Sequence, residues 1–441
     1  MTTGAYDTTL ATGGTELGGE GPSDVFVAKI ASNGQLMWAT YIGGPNYDRS
    51  YALKIDSAGD VYVAGRAGRG YPTTSGAVQT AFGGDDNRNS LYGAQDGFVT
   101  KLSGDGGSLI WSTYFGGPGR GFIRDLDIDP QGRAHIGFNS YNSNPHITSN
   151  AHRSTRRGVV DAGYAVIAAD GRSVEYATYL GGSTVQPPGN LPTLTPSVRV
   201  RANGGTYFSY MDNANDVPTS GNAFQQSPNG SFDMVVTKFS PQRTIEWTTF
   251  VGGSDYDEVE THGLTIDASD RAVIGGNTLS KDFPVTSGAY RTSPGSNNGN
   301  DSDGFVSMLS ADGTSLVAST YLAGGNNDQV EGLATLSDGS ILVSGATQST
   351  FLPTNSNSYQ SFNGGARDGI VVRFNSDLSD ITYSTYIGGT GDDTINDIFV
   401  GAQDVIGIAG SAGSTPFDTV NTNDMSVDGA HAAIFGSFTT N

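Results

Sequence analysis

The sequence predicts an all-β protein, a single β-propeller of four-stranded antiparallel blades covering residues 1–441, with six blades favoured and seven the alternative. Three observations carry this. A unit of roughly 60–73 residues recurs along the chain. Its apolar runs alternate with period two, as in FVAKI and WATYI. Tight Asn-Gly, Asp-Gly and paired-Gly turns separate those runs.

Each unit offers four short strands, labelled here A to D in expected radial order. Strand C follows an Asp: Asp24 before VFVAKI, Asp96 before GFVTKL, Asp161 before AGYAVI, Asp233 before MVVTKF, Asp303 before GFVSML, Asp368 before GIVVRF and, more weakly, Asp428 before GAHAAI. Strand D is aromatic and ends in paired glycines, as in WATYIGG (38–44), WSTYFGG (111–117), YATYLGG (176–182) and WTTFVGG (247–253), with later copies STYLAGG (319–325) and STYIGG (384–389). Strands A and B share a run such as LKIDSAGDVYVAG (53–65), LDIDPQGRAHIG (126–137), LTIDASDRAVIGG (264–276) and LATLSDGSILVSG (333–345), with degenerate copies at 198–210 and 398–410. No stretch keeps a helical period.

The chain opens with C and D (24–44), runs A-B-C-D five times, and ends A, B and C (395–438). That gives 25 strands, six blades and one strand over. The N-terminal D strand at Trp38–Ile42 is expected to complete the last blade, closing the ring with strands from both termini and removing open edges. Removal of residues 1–44 is then expected to unfold or oligomerise the protein. The chain begins inside a repeat without a basic or apolar leader, so an upstream segment, such as a cleaved secretion signal, is expected.

Composition narrows the partners. The balance of 23 basic and 44 acidic residues gives a net charge of −21, which argues against nucleic acid. No apolar run reaches the ~20 residues of a membrane helix. With no cysteine, disulfides and thiolate chemistry are excluded. There is no nucleophile elbow, phosphate loop, zinc helix or dinucleotide fingerprint.

The segments PTTSGAVQTAFGG (72–84), DGFVTKLSGDGGSLIWSTYFGG (96–117) and SYALKIDSAGDVYVAG (50–65) resemble the SBBP-type β-propeller repeat family of bacterial surface and secreted proteins. The resemblance recurs over nearly the whole chain. It implies a propeller fold and a secreted or cell-surface location, and it implies little about chemistry.

Loop lengths are unequal, the B–C and D–A loops being longer, and function on a rigid scaffold gathers on such a face. Within the B–C loops a motif recurs, as in PTTSGAVQ (72–79), PTSGNAFQ (218–225) and PVTSGAYR (284–291), and is read as pinning each loop to its blade. The start of each A strand should line the channel mouth on that face. Aligned on the LxID leucine, that position is Tyr51, Arg124, Pro196, His262, Glu331 and Asn396, and the next is Ala52, Asp125, Ser197, Gly263, Gly332 and Asp397. Variation of a mostly polar residue from blade to blade fits either a water-filled channel or a ligand site.

As catalytic candidates, His262 would act as base, Tyr51 as acid, Arg124 would neutralise a carboxylate and Glu331 would orient His262. These residue types are similar to the equipment of propeller-fold polysaccharide lyases. Asn396, Asp397, Asp125, Arg199 and Arg201 are ligand-binding candidates. Calcium is a candidate cofactor in acidic loops such as 83–89, 253–260, 297–304 and 389–397, with Asp301 and Asp303 as the nearest fragment of a calcium loop. His152 is read as a loop anchor, His135 as packed or channel-lining, and the Arg153, Arg156 and Arg157 run as paired with neighbouring Asp.

The reading is a secreted or cell-surface module that binds glycan or protein partners, as a monomer or in a larger assembly. The alternative is a polysaccharide lyase or other carbohydrate-active enzyme with its site at the channel mouth.

Overall fold

The computed structural model describes residues 1–15, 19, 21–84, 92–184, 194–295, 301–413, 432–438 and 440. Asp428, the weakest strand-C mark, and parts of the acidic loops 83–89 and 297–304 lie outside them.

The described residues are all β apart from one short 3-10 turn at Ala402–Asp404. β1 (Val25–Ile30) and β2 (Leu36–Ile42) form a two-stranded sheet. β3 (Arg49–Ile55), β4 (Val61–Ala67), β5 (Asp96–Leu102) and β6 (Leu109–Tyr114) form a four-stranded sheet in chain order. β7 (Gly121–Ile128), β8 (Ala134–Ser140), β9 (Asp161–Ile167) and β10 (Val174–Tyr179) form the next. β11 (Ser197–Val200), β12 (Thr206–Asp212), β13 (Asp233–Phe239) and β14 (Ile245–Val251) form a third. Then come β15 (Asp257–Ile266), β16 (Ala272–Thr278), β17 (Asp303–Leu309) and β18 (Leu316–Leu322), followed by β19 (Asp328–Thr335), β20 (Ile341–Thr347), β21 (Asp368–Phe374) and β22 (Ile381–Ile387). These two sets join into one eight-stranded sheet through a single parallel bridge, His262 on β15 opposite Gly332 on β19. β23 (Asp393–Val400), β24 (Ile406–Ala412) and β25 (Ala432–Phe438) form a three-stranded sheet. This is a β-propeller-like arrangement of antiparallel sheets; the sets from β3 to β22 run A-B-C-D in chain order, while β1–β2 supply only C and D and β23–β25 only A, B and C.

Two compact units are distinguished. One is Met1–Phe208 with Ala214–Pro218 and Lys238–Glu246; the other is Ser209–Asn213 with Thr219–Thr237 and Trp247–Asn441. In the first unit the A strands β3 and β7 pack together, as do β7 and β11. In the second, β19 packs against both β15 and β23.

A repeated indole contact ties successive sheets. Trp38 Nε1 on β2 donates to Gly104 O in the β5–β6 turn (3.2 Å), Trp111 on β6 to Ala169 O in the β9–β10 turn (2.9 Å), and Trp247 on β14 to Ala311 O in the β17–β18 turn (2.9 Å). Each indole also covers a turn glycine. A Cβ on Gly313 (φ 71°) would lie 2.5 Å from Trp247 Cδ2, in a backbone region that disfavours L side chains. Gly313→Ala is therefore expected to cost about 2–4 kcal/mol, from overpacking and the left-handed turn together. Urea unfolding checks this, and a cost under about 1 kcal/mol would contradict it.

The B–C loop motif is a structural pin, as expected. Gln79 N bonds Thr113 Oγ1 on strand D (2.8 Å), while its side chain bridges Asp96 Oδ2 (3.0 Å) and the Gly116 N–H (3.0 Å). Gln225 repeats the bridge with Asp233 and Gly252, and Gln360 with Asp368 and Gly388. The Asp before strand C thus fixes the loop entering it. The first glycine of four of the pairs, Gly43, Gly116, Gly252 and Gly388, lies against that carboxylate. A Cβ on Gly252 would fall 2.6 Å from Asp233 Oδ1, and one on Gly388 would fall 2.7 Å from Asp368 Oδ1.

Candidate functional site

The positions picked out by alignment on the LxID leucine share a backbone feature. In β3 the pairing jumps from Ser50↔Gly65 to Ala52↔Ala64, leaving Tyr51 as the extra residue of a β-bulge. The same jump isolates Arg124 in β7, Glu331 in β19 and Asn396 in β23. Bulges re-aim side chains and concentrate beside functional sites. The B-strand glycines accommodate them: a Cβ on Gly65, Gly345 or Gly410 would collide with the carbonyl oxygen of Arg49, Gln329 or Thr394. In β15 the distortion is larger, since pairing jumps from Val259↔Gly276 to Leu264↔Ile274. Glu260, Thr261, His262 and Gly263 then stand opposite Gly275 alone, and His262 reaches the neighbouring A strand. Pro196 precedes the short β11.

In the first unit, Tyr51 and Arg124 come together. The Arg124 guanidinium carbon lies 4.6 Å from the Tyr51 ring centroid, with those of Arg49 at 5.0 Å and Arg66 at 5.6 Å. Arg66 is only 4% exposed and also packs on Tyr92 (3.9 Å), Phe122 (5.0 Å) and Tyr47 (5.5 Å). Arg120 approaches Phe122 at 5.9 Å. Arg49 and Arg66 stand directly opposite each other on β3 and β4. Sequence reasoning missed Arg49, Arg66, Tyr92 and Phe122. The available signal was the cross-strand partner of each bulge neighbourhood, where the other copies carry pairs such as Glu258 with Asn277 and Gln329 with Ala346.

In the second unit, His262 and Glu331 are close enough to interact electrostatically. Glu331 lies 4.0 Å from Arg367 Nη2, and Arg367 also bonds Gln329 Oε1. Burial raises the Glu331 pKa, opposed by the nearby Arg367 and His262 and reinforced by Glu258. Glu258 accepts from Asn277 Nδ2 (3.0 Å) and also faces Tyr256. Burial pushes the Tyr256 phenol up, and the Glu258 and Glu260 charges add to this. The arrangement provides an imidazole beside a carboxylate and a cation.

Other candidates are engaged elsewhere. Asp125 Oδ2 accepts from Arg199 Nη1 (2.5 Å) and from Val198 N (3.0 Å), so Arg199 and Asp125 serve each other. Arg201 is half-buried just after β11. Asn396 is exposed, and Asp397 caps the Ile398 N–H (2.8 Å). Arg153 and Arg156 pair with Asp161 at 2.5 and 3.3 Å, and Arg157 lies 3.7 Å from Asp216, as the basic run was expected to do. Arg153 occupies the place that Gln79 fills in the preceding copy. The segment at His152 docks through its backbone N–H to Tyr176 (3.3 Å), leaving the imidazole exposed. His135 is buried between Tyr164 (2.7 Å) and Asp129 (3.2 Å).

For calcium, Asp303 Oδ2 accepts from Gly295 N (3.0 Å), and the nearby Asp301 charge helps to raise its pKa. Among the described residues, no group of three or more His, Asp or Glu side chains could hold a metal ion. The aspartates do form pairs, joining the Asp before strand C to one opening the next strand A: Asp24 with Asp48, Asp233 with Asp257, Asp303 with Asp328 and Asp368 with Asp393. Burial pushes Asp257 up to about 7, and Asp233, Asp303 and Asp328 to about 6. Asp24, Asp233, Asp303 and Asp368 each keep a buried Oδ1 without a hydrogen-bond partner.

No helix among the described residues is long and apolar enough to cross a membrane. No curated protein matches the chain. Among solved structures, it is similar to an ulvan lyase of polysaccharide lyase family PL25 bound to -[GlcA(1-4)Rha3S]-, at 11% identity over 92% of each chain and a TM-score of 0.44. It is also similar to the GH93 α-L-arabinofuranosidase of Fusarium graminearum, at 13% identity over 88% of this chain and 92% of that one, with a TM-score of 0.44. A europium-containing methanol dehydrogenase aligns at 8% identity over 88% and 81%, with a TM-score of 0.39. Residues 38–70, which span β2, β3 and β4, match the SBBP β-propeller repeat, so this chain carries the repeat that its sequence marks resemble.

Proposed function

We propose that the protein is a secreted or cell-surface module that binds glycans through the bulged residues of its A strands. One observation carries this reading. The backbone bulge recurs at one register while its side chain changes from Tyr51 to Arg124, Glu331 and Asn396, and an enlarged bulge carries His262. A purely architectural bulge would favour one residue type throughout. In the first unit Tyr51 offers a flat face for the C–H groups of a sugar and Arg124 offers donors; in the second, Glu331 and Asn396 offer hydrogen-bond donors and acceptors of their own. Titration calorimetry against a panel of bacterial and algal polysaccharides tests it. Tyr51→Ala is expected to weaken binding at least tenfold with the fold retained, and undiminished affinity in both Tyr51→Ala and Glu331→Gln would overturn the reading.

A carbohydrate-active enzyme is the second reading, favoured by the enlarged bulge that sets His262 beside Glu331. An imidazole is suited to proton abstraction near neutral pH. On uronic-acid polymers, His262→Ala is expected to abolish formation of unsaturated product, by a factor of ~10² or more, while Asn396→Ala retains it. Turnover unchanged in His262→Ala would exclude His262 as the base.

A further inference from the structure

We propose that Arg49, Arg66 and Arg124 form a receptor for an anionic group of the ligand, a carboxylate or sulfate ester, seated among Tyr51, Tyr92 and Phe122. The inference rests on the glycan-binding reading and adds the chemical class of the ligand.

Positive charge is left unbalanced on β3, β4 and β7. Like charges directly opposite on paired strands repel, and Arg49 and Arg66 are such a pair. Arg124 shares the Tyr51 ring with both. A buried cation is costly unless paired, and Arg66 is 4% exposed. Elsewhere in this acidic protein four half-buried arginines have close carboxylates: Arg153 with Asp161, Arg199 with Asp125, Arg133 with Asp129 and Arg271 with Asp267, each at 2.5 Å. No carboxylate of the described residues serves Arg49, Arg66 or Arg124, and the Nε atoms of Arg66 and Arg124 are buried without a hydrogen-bond partner.

The aromatic rings offset part of this cost by cation–π attraction but leave the guanidinium N–H groups unfilled. Beside them lies a further unfilled group. Asn139, opposite Phe122 across β7 and β8, is 1% exposed, and neither its Nδ2 nor its Oδ1 has a partner. Guanidinium forks match the oxygens of a carboxylate or sulfate and would be neutralised by one. The surrounding rings would cover the sugar that carries it.

The test uses the whole chain and variants at Arg49 and Arg124, which reach solvent more than Arg66 does. Sodium sulfate and sodium acetate, each against sodium chloride at matched ionic strength, are expected to raise the melting temperature saturably. Arg49→Gln and Arg124→Gln are expected to weaken that response at least tenfold in anion concentration. Without added anion, Arg49→Gln should melt no lower than the parent protein, because the repulsion is relieved. A response that never saturates, or one undiminished in both variants, overturns the proposal. Calorimetry with neutral, carboxylated and sulfated polysaccharides separates the two readings and the two anion types. Neutral polymers bound equally by parent and variants would sink the anion receptor and leave glycan binding standing. A saturable, arginine-dependent anion response with no polysaccharide bound would support the receptor and overturn the glycan reading.

Discussion

Trp111→Ala is expected to lower the unfolding free energy by about 3–5 kcal/mol, the usual range for deleting a buried indole. The indole is 3% exposed, packs edge-on against Tyr62 at 5.9 Å and 80°, and donates to Ala169 O in the next sheet at 2.9 Å. Its removal therefore opens a cavity in the cluster that includes Phe115, Ile136 and Tyr179, and leaves a turn carbonyl unsatisfied. Trp111→Phe should recover most of the packing and lose mainly the hydrogen bond, at about 1–2 kcal/mol. Urea unfolding at fixed pH measures both. A loss under about 1 kcal/mol for the alanine variant would mean that these two sheets do not depend on each other through this contact.

The second large effect is on pH. Asp257 titrates near 7 and Asp233, Asp303 and Asp328 near 6 in the folded chain, because burial disfavours their charged forms. Unfolded, they return to the ordinary value of 3.8. Between about pH 4 and 7 the folded state thus holds more protons than the unfolded one, and their contribution to stability falls as pH rises. Each tenfold change in proton affinity is about 1.4 kcal/mol, so the set amounts to several kcal/mol. Below about pH 4 the opposite group takes over: Asp129, held well below its usual range chiefly by His135 and Arg133 against its own burial, loses its pairing on protonation. The urea midpoint is therefore expected to be higher at pH 5 than at pH 8. Asp233→Asn removes one charge of its pair and puts an amide at the unpartnered Oδ1 position. It should raise stability at pH 8 and flatten the slope. A flat profile in the parent protein, or an unchanged slope in Asp233→Asn, would refute the account.

The strands were legible because period-two alternation and turn residues are local signals. So were the loop pins, since Gln79, Gln225 and Gln360 close the same recurring loop motif ahead of the Asp they bond. Alignment on the LxID leucine reached Tyr51, Arg124, Glu331 and Asn396 without revealing that each is the surplus residue of a bulge. The alternation continues through the run and hides the extra residue; only the B-strand glycines, such as Gly65 and Gly345, reported the close backbone approach. Arg49 and Arg66 escaped notice for another reason. They are separated by a hairpin, and their meaning arises only from the pairing of β3 with β4. The expectation that His152 would anchor its loop by its ring took a backbone docking point for a side-chain one, because an imidazole occupied the column of aromatic residues.

The indole contacts also bear on how such a chain can change length. The repeat as written runs from one strand A to its strand D, but where strand D carries a tryptophan, at Trp38, Trp111 and Trp247, the indole is satisfied only by the following sheet. Cutting out β3–β6 as one repeat leaves the same two halves to rejoin, Trp38 before the gap and the β9–β10 turn that receives an indole after it. Loss of part of a repeat leaves one half without the other. Where a tryptophan closes strand D, gene duplication and deletion should therefore be tolerated in whole repeats, and in-frame losses of half a repeat should be selected against.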